Sequence, residues 1–320
     1  MILVLGEILF DLFPDQKKIG GAPFNFAYHL KKMGVPVRFI SRVGDDQLGL
    51  EIKDFLLHHG FDPRDIQTDP THPTGTVRVF MEDGAHGFTI AADSAWDHLE
   101  FDDHLSSLVH GSPDMIYFGT LTQRTGHGQE IVRRIISEKS RETSIFCDIN
   151  LRSDLYNRTT IEQSLHACNI LKLSNGEAVE ILALLSKQGI IQATADSPDE
   201  IIDEFIRIYG IELIILTMGE RGSIWAFSGK KYRARAFPLE KIVDTVGAGD
   251  AYAAMAAFGR LKKLSVQSTM ALAGEFAARI CKVKGALPWD DAVYGEFYEK
   301  FQQSLHLETS LGESQPKGAE

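Results

Sequence analysis

Six short apolar runs punctuate the chain: ILVLG at 2–6, VRFISRVG at 37–44, MIYFG at 115–119, SIFCDI at 144–149, ILKL at 170–173 and LIILT at 213–217. Each is brief and rich in β-branched or aromatic residues, so each predicts a strand. Between them, apolar residues recur at helical spacing over 22–33, 48–59, 129–138, 176–185 and 198–209. Strands apolar on both faces, alternating with helices, predict an α/β fold. It would be a doubly wound, mostly parallel sheet covered on both sides, with right-handed crossovers.

One stretch departs from that rhythm. TGTVRVFMEDGAHGFTI (74–90) alternates with period two around Asp83-Gly84 and has no helix beside it. It predicts a β-hairpin, either an ornamental edge hairpin or a small lid. The segment ETSLGESQPKGAE (308–320) is polar and aperiodic and reads as a loose tail. No internal repeat is visible.

Composition narrows the function. The 320 residues suit one large domain, or a large domain with a small one. With 44 acidic against 33 basic residues the formal charge is -11, which argues against nucleic acid or an anionic membrane as the main partner. Cys147, Cys168 and Cys281 are far apart, without metal-ligand spacing, and read as buried thiols of a reducing compartment. The start, MILVLGEILFDLF, carries Glu7 and Asp11 and no basic residue, so it predicts a buried strand and not a signal peptide. No apolar run approaches the roughly 20 residues of a membrane span. A cytoplasmic protein is expected.

In an open α/β sheet, ligands gather at the carboxyl ends of the strands. Those ends carry Asp148, Asn150 and Arg152; then Lys172, Ser174 and Glu177; then Thr217, Gly219 and Gly222. Any one of these can be a cap or turn residue, and it is their convergence on one edge that points to a site. Further on lies DTVGAGDAYAAM (244–255), where Ala251, Ala254, Met255, Phe258 and Leu261 place a helix start near Gly249 or Asp250. The unpaired amides at such a start, with the helix dipole, make an anion site, and glycines let the anion approach. Asp250 has two readings. It can stabilise the helix start by about 0.3–1 kcal/mol. It can also be a base: an ordinary carboxyl, ionised at neutral pH, placed to take the proton of a hydroxyl attacking a phosphoryl group held by the amides of Gly247, Ala248 and Gly249. The P-loop, protein-kinase, dinucleotide, zinc-protease and α/β-hydrolase motifs are all missing from the sequence.

DTVGAGDAYAAM resembles the C-terminal signature of the PfkB/ribokinase family of sugar kinases. IGGAPFNFAYHLKKMG (19–34) followed by ISRVGDDQLG (40–49) resembles the N-terminal one. GEILFDLFP, PTGTV, SAWD (94–97), DINLR and KLS make the chain most similar to the fructokinases within it. The resemblance implies a ribokinase-like kinase domain over 1–306, a β lid built from segments near 9–20 and 72–92, and a tail over 307–320. It implies that Asp250 is the general base, that Gly247, Ala248 and Gly249 form the anion hole, and that Asp11, Gly21 and Asn25 hold sugar hydroxyls. Lys172, Thr217, Gly219, Gly222 and Gly274 would lie on the nucleotide side. Glu177 would organise Mg²⁺ through water, and Asp244 would belong to a monovalent-cation site, as in relatives that need potassium.

Two positions depart from the family pattern. Ser174 stands where relatives often begin NxxE, and Gly274 stands where many have Asn. Arg152 is left with two roles, contacting substrate or phosphate, or pairing locally with Asp154.

The implied reaction is ATP-dependent phosphorylation of a primary hydroxyl of a ketose, D-fructose foremost. The same family also offers 2-keto-3-deoxygluconate, ribose or a nucleoside as substrate, the last needing an aromatic platform such as Phe24, Phe26 or Trp96. A catalytically silent sugar- or nucleotide-binding protein is the alternative outside enzymes. ATP and Mg²⁺ are the expected cofactors, K⁺ a further one, and a homodimer through the lid the expected assembly.

Overall fold

The computed structural model describes residues 1–82, 85–152, 155–186, 197–288 and 290–313. A nine-stranded sheet runs through the molecule. Its seven parallel strands are β1 (Ile2–Leu5), β4 (Val37–Gly44), β5 (Ile66–Asp69), β8 (Met115–Gly119), β9 (Ser144–Asp148), β10 (Ile170–Ser174) and β11 (Leu213–Thr217). An antiparallel pair, β12 (Ser223–Phe227) and β13 (Lys230–Ala234), extends one edge, giving the order β13-β12-β11-β10-β9-β8-β1-β4-β5. All six apolar runs are strands of this sheet. The pattern missed β5, β12 and β13, which lie in the outer part of the sheet; β5 and β13 carry few apolar residues, whereas β12, SIWAF, is apolar and was overlooked.

Successive residues of one strand face opposite sides, and both sides are buried. Val4, Tyr117, Phe146 and Ile215 pack into one core with α1 (Ala22–Lys32), α8 (Ala248–Leu261) and α9 (Val266–Ile280). Leu3, Ile116, Cys147 and Ile214 pack into a second with α4 (Gly126–Glu138), α6 (Asn175–Ser186) and α7 (Pro198–Tyr209). The helices expected at 22–33, 129–138, 176–185 and 198–209 are these, and that at 48–59 is α2 (Gln47–His58). Phe24 and Phe26 are wholly buried, Phe26 stacked on Tyr117 at 3.8 Å, and Trp96 is 3% exposed beneath Arg124. These rings are core packing and form no exposed platform for a base.

A second, four-stranded sheet stands apart, in the order β3-β2-β6-β7: β3 (Lys17–Gly20), β2 (Leu9–Leu12), β6 (Thr76–Glu82) and β7 (Ala85–Ile90). It is antiparallel except where β2 meets β6. The hairpin predicted at 74–90 is thus built into a separate small sheet; its turn, Asp83-Gly84, lies outside the described residues. Gly75 lets the chain enter β6 closely, since a Cβ there would stand 2.6 Å from Trp96 Nε1.

At the other end of the chain, helix α10 spans Ala292–Glu313. It extends past 306 into the segment expected to be a loose tail. Phe297 and Phe301, 0% and 2% exposed, anchor the helix on α8 and α9, and Leu305 packs against the same core. Residues 314–320 lie outside the described part. No helix among the described residues is long and apolar enough to cross a membrane.

Candidate active site

The site forms where the N-termini of α1 and α8 meet the carboxyl ends of β9 and β10, under the small sheet. Helix α8 begins from Gly247, held at φ 78°, a left-handed conformation costly for other residues. A Cβ there would stand 2.4 Å from that of Ala286. This turn explains the glycine and aims the first turn of α8 into a cavity of about 1260 Å³. Among the described residues, the N–H groups of Gly247, Gly249 and Asp250 have no hydrogen-bond acceptor. Ala248 differs from expectation: its N–H closes a turn on the Thr245 carbonyl at 3.2 Å.

Asp250 is 9% exposed and lines the cavity. Asn25 Nδ2, reaching over from α1, donates to its Oδ2 at 2.8 Å. The carboxyl is not the ordinary one assumed from sequence. Burial pushes its pKa up, while the hydrogen bond from Asn25 and the charges of Lys172 and Arg152 pull it back. Asn25 Oδ1 has no partner and is buried at the edge of the same cavity. Gly21, at φ 117°, starts α1; a Cβ there would strike the Glu7 carbonyl at 2.4 Å. Asp11 enters from β2 of the small sheet, where the missing side chain of Gly20 leaves room for its carboxylate. Burial raises the Asp11 pKa to about 6 against the charges of Arg152 and Lys18.

Lys172 was expected on the nucleotide side. It lines the same cavity as Asp250, with its ammonium 3.3 Å from where a Gly249 Cβ would stand. Its Nζ donates to both oxygens of Asp148 at 2.9 Å. Burial would lower the Lys172 pKa, but Asp148, with Glu177 and Asp250, raises it above the ordinary value. Asp148 is raised to about 6 by burial against that pull. Arg152 also lines the cavity and has no carboxylate within ion-pair distance among the described residues; Asp154, its alternative partner, lies outside them.

The remaining expected residues are more dispersed. Both Glu177 oxygens accept backbone N–H groups, from Leu151 at 2.8 Å and Ser174 at 2.6 Å, and Ser174 Oγ accepts from the Glu177 N–H. Ser174-Asn175-Gly176-Glu177 is therefore a capping box opening α6, which accounts for serine in place of asparagine. Asp244 ties two turns, accepting from the N–H groups of Val246 and Gly285. Thr217 ends β11, with Gly219 (φ 57°) and Gly222 (φ 91°) in the following turn. None of these three lines the main cavity. Gly274 lines a separate cavity of about 540 Å³ between α9 and the chain after β13.

Glu7 was quoted in a motif but given no role. It is 3% exposed, its Oε2 has no partner, and it lines the cavity. Burial raises its pKa to about 7, with Arg152 pulling it down and Asp250 pushing it further up. A single carboxylate inside the apolar run ILVLGEILF was the available signal. The cavity therefore brings Glu7, Asp11 and Asp250 together with Lys172, Arg152 and a set of free helix-start amides. That set can bind a polyhydroxyl ligand, hold an anion and accept a proton.

Comparison with known proteins agrees. Residues 6–291 match the pfkB family carbohydrate kinase profile. The chain belongs to that family and is a sugar kinase by fold and sequence. It is 27% identical to fructokinase from Salmonella typhimurium over 303 residues, covering 89% of this chain and 94% of that protein. The fold is shared with fructokinase from Xylella fastidiosa solved with bound ATP, at TM-score 0.80 and 18% identity, covering 94% and 98% of the two chains. It is shared too with 2-dehydro-3-deoxygluconokinase from Thermotoga maritima, at TM-score 0.75 and 19% identity over 93% and 99%.

Proposed function

We propose that this sugar kinase transfers the terminal phosphoryl group of ATP to a primary hydroxyl of a ketose, D-fructose foremost. The observation that carries the reading is Asp250, buried on the first turn of α8, oriented by Asn25 and facing a cavity shared with Lys172 and Arg152. The sugar lies between the small sheet and α1, with Asp11, Glu7 and Asn25 offered to its hydroxyls. Asp250 accepts the proton of the attacking hydroxyl. A pKa raised by burial brings the carboxylate closer to working pH and makes it a better base than an exposed one. The amides of Gly247, Gly249 and Asp250, with the Lys172 ammonium, hold the negative phosphoryl oxygens. The small sheet covers the cavity and excludes water, limiting hydrolysis of ATP.

The adenine end of ATP would enter the second cavity beside Gly274, where a Cβ would meet nothing within 4 Å. Mg²⁺ bound with the nucleotide supplies charge neutralisation at the transferring group. Both Glu177 oxygens already accept an amide and keep further lone pairs, so Glu177 suits contact with the ion through water. Asp244 is the corresponding candidate for K⁺.

Arg152 favours a second substrate. A cation facing the cavity without a carboxylate partner among the described residues suits the acid group of 2-keto-3-deoxygluconate. ADP release with Mg-ATP and K⁺, measured separately on fructose, tagatose, ribose, 2-keto-3-deoxygluconate and adenosine, decides between them. The reading expects turnover on fructose above the others. Preference for the keto acid moves the assignment to the second reading, and preference for ribose or adenosine overturns both.

A further inference from the structure

Outside that cavity, two histidines and an aspartate converge at the foot of the β6–β7 hairpin. His72 lies on the chain entering β6, Asp93 on the chain leaving β7, and His98 ends the short turn Ala95–His98. Asp93 Oδ1 is 2.8 Å from His98 Nε2 and 3.8 Å from His72 Nε2. All three ligand atoms lie within 4.8 Å of one another. A tetrahedral ion with bonds of about 2.0–2.1 Å keeps its ligands about 3.4 Å apart, between those two distances. The imidazoles are stacked, with centroids 3.5 Å and planes 9° apart, so sharing one ion requires their Nε2 edges to tilt together.

The support behind His72 is what distinguishes this cluster from a chance surface group. His72 Nδ1 lies 3.0 Å from Oδ2 of Asp69, which is 2% exposed. The Asp69 carboxylate is itself held in place, accepting from the N–H groups of Thr71 and His72 and pairing with Arg42. Its contact with Nδ1 orients the His72 ring with Nε2 towards Asp93, the outer carboxylate arrangement seen behind metal-bound histidines. The nearby cations are already engaged, Arg42 by Asp69 and Glu100 and Arg124 by Asp97.

We propose that His72, Asp93 and His98 bind a divalent transition-metal ion. Two imidazoles and a carboxylate suit Zn²⁺, with solvent as fourth ligand. His98 carries its ring proton on Nδ1 when Nε2 takes the ion, so a neutral ring loses no net proton. The ion joins the chain entering the hairpin to the chain leaving it and to the body behind, and so staples the foot of the small sheet.

The test is calorimetric titration of the chelator-treated, full-length protein with ZnCl₂, and titration with Co²⁺ followed by visible absorption. The wild type takes up one equivalent at this site. His98→Gln and Asp93→Asn each weaken uptake at least about tenfold, while His58→Gln on the exposed face of α2 leaves it unchanged. Asp93 is mostly exposed, so its variant tests the site with the fold intact, verified by an unchanged unfolding temperature without metal. Uptake by both variants with wild-type affinity, or none by the wild type, overturns the site. Amide exchange in β6 and β7 that zinc does not slow overturns the staple.

Discussion

At the residue scale, the cavity's chemistry rests on carboxyl groups held out of water. Asp250, Glu7, Asp11 and Asp148 all have pKa values raised first by burial, and Lys172 and Arg152 keep the cluster from being purely repulsive. That arrangement serves binding at some expense to stability. Glu7 is raised from 4.5 to about 7, so its ionisation is disfavoured in the folded protein. The stability it contributes is full below the unfolded value of 4.5 and is lost as pH rises through about 7. Glu7→Gln should therefore be more stable than the wild type at about pH 8, by about 1–3 kcal/mol, and nearly equal to it at about pH 4. Urea unfolding at the two pH values measures the difference; one that does not grow with pH would refute the account of Glu7. Such couplings were out of reach of the sequence, because Arg152 and Asp250 are brought to Glu7 only by the fold. Asp250 itself was visible as a carboxylate at a helix start, but its partner Asn25 lies on a different helix and entered only through the family signature.

At the scale of elements, periodicity identified what is apolar on one or both faces and missed what is not. The six inner strands and the helix starting at the 244–255 segment were readable for that reason. β13 was not: Lys230–Ala234 is a polar edge strand, and edge strands carry no requirement for two apolar faces. β12, SIWAF, is apolar and buried and was legible but overlooked. The Ser174–Glu177 capping box was in plain view, but Ser174 stood out only as a departure from the family's NxxE. The small sheet needed its distant segments paired, β2 beside β6, before it became an element at all. That sheet leaves β3 and β7 as open edges and Phe80 40% exposed on its outer side. Open edges and exposed aromatic surface favour a second copy across the sheet, so the protein is expected to be a homodimer joined there. Light scattering at micromolar concentration should give twice the chain mass, and Phe80→Asp should shift it to monomer. A monomeric wild type would contradict this.

At the scale of the whole molecule, the doubly wound sheet brings the N-termini of α1 and α8 to one edge, so residues more than 200 positions apart share a hydrogen bond, as Asn25 and Asp250 do. Gly274 lies in a separate cavity, between α9 and the chain after β13, and on the proposed function that cavity would take the nucleotide's adenine end. On the proposed function, Asp250 takes the proton of a sugar hydroxyl during phosphoryl transfer. The most direct test compares turnover of the Asp250→Asn variant with the wild type on whichever sugar proves to be the substrate, with sugar affinity measured in parallel. The account predicts a fall in turnover of about 10²–10⁴-fold with the fold intact and sugar binding little changed. Turnover near the wild-type value in a folded Asp250→Asn protein would contradict it.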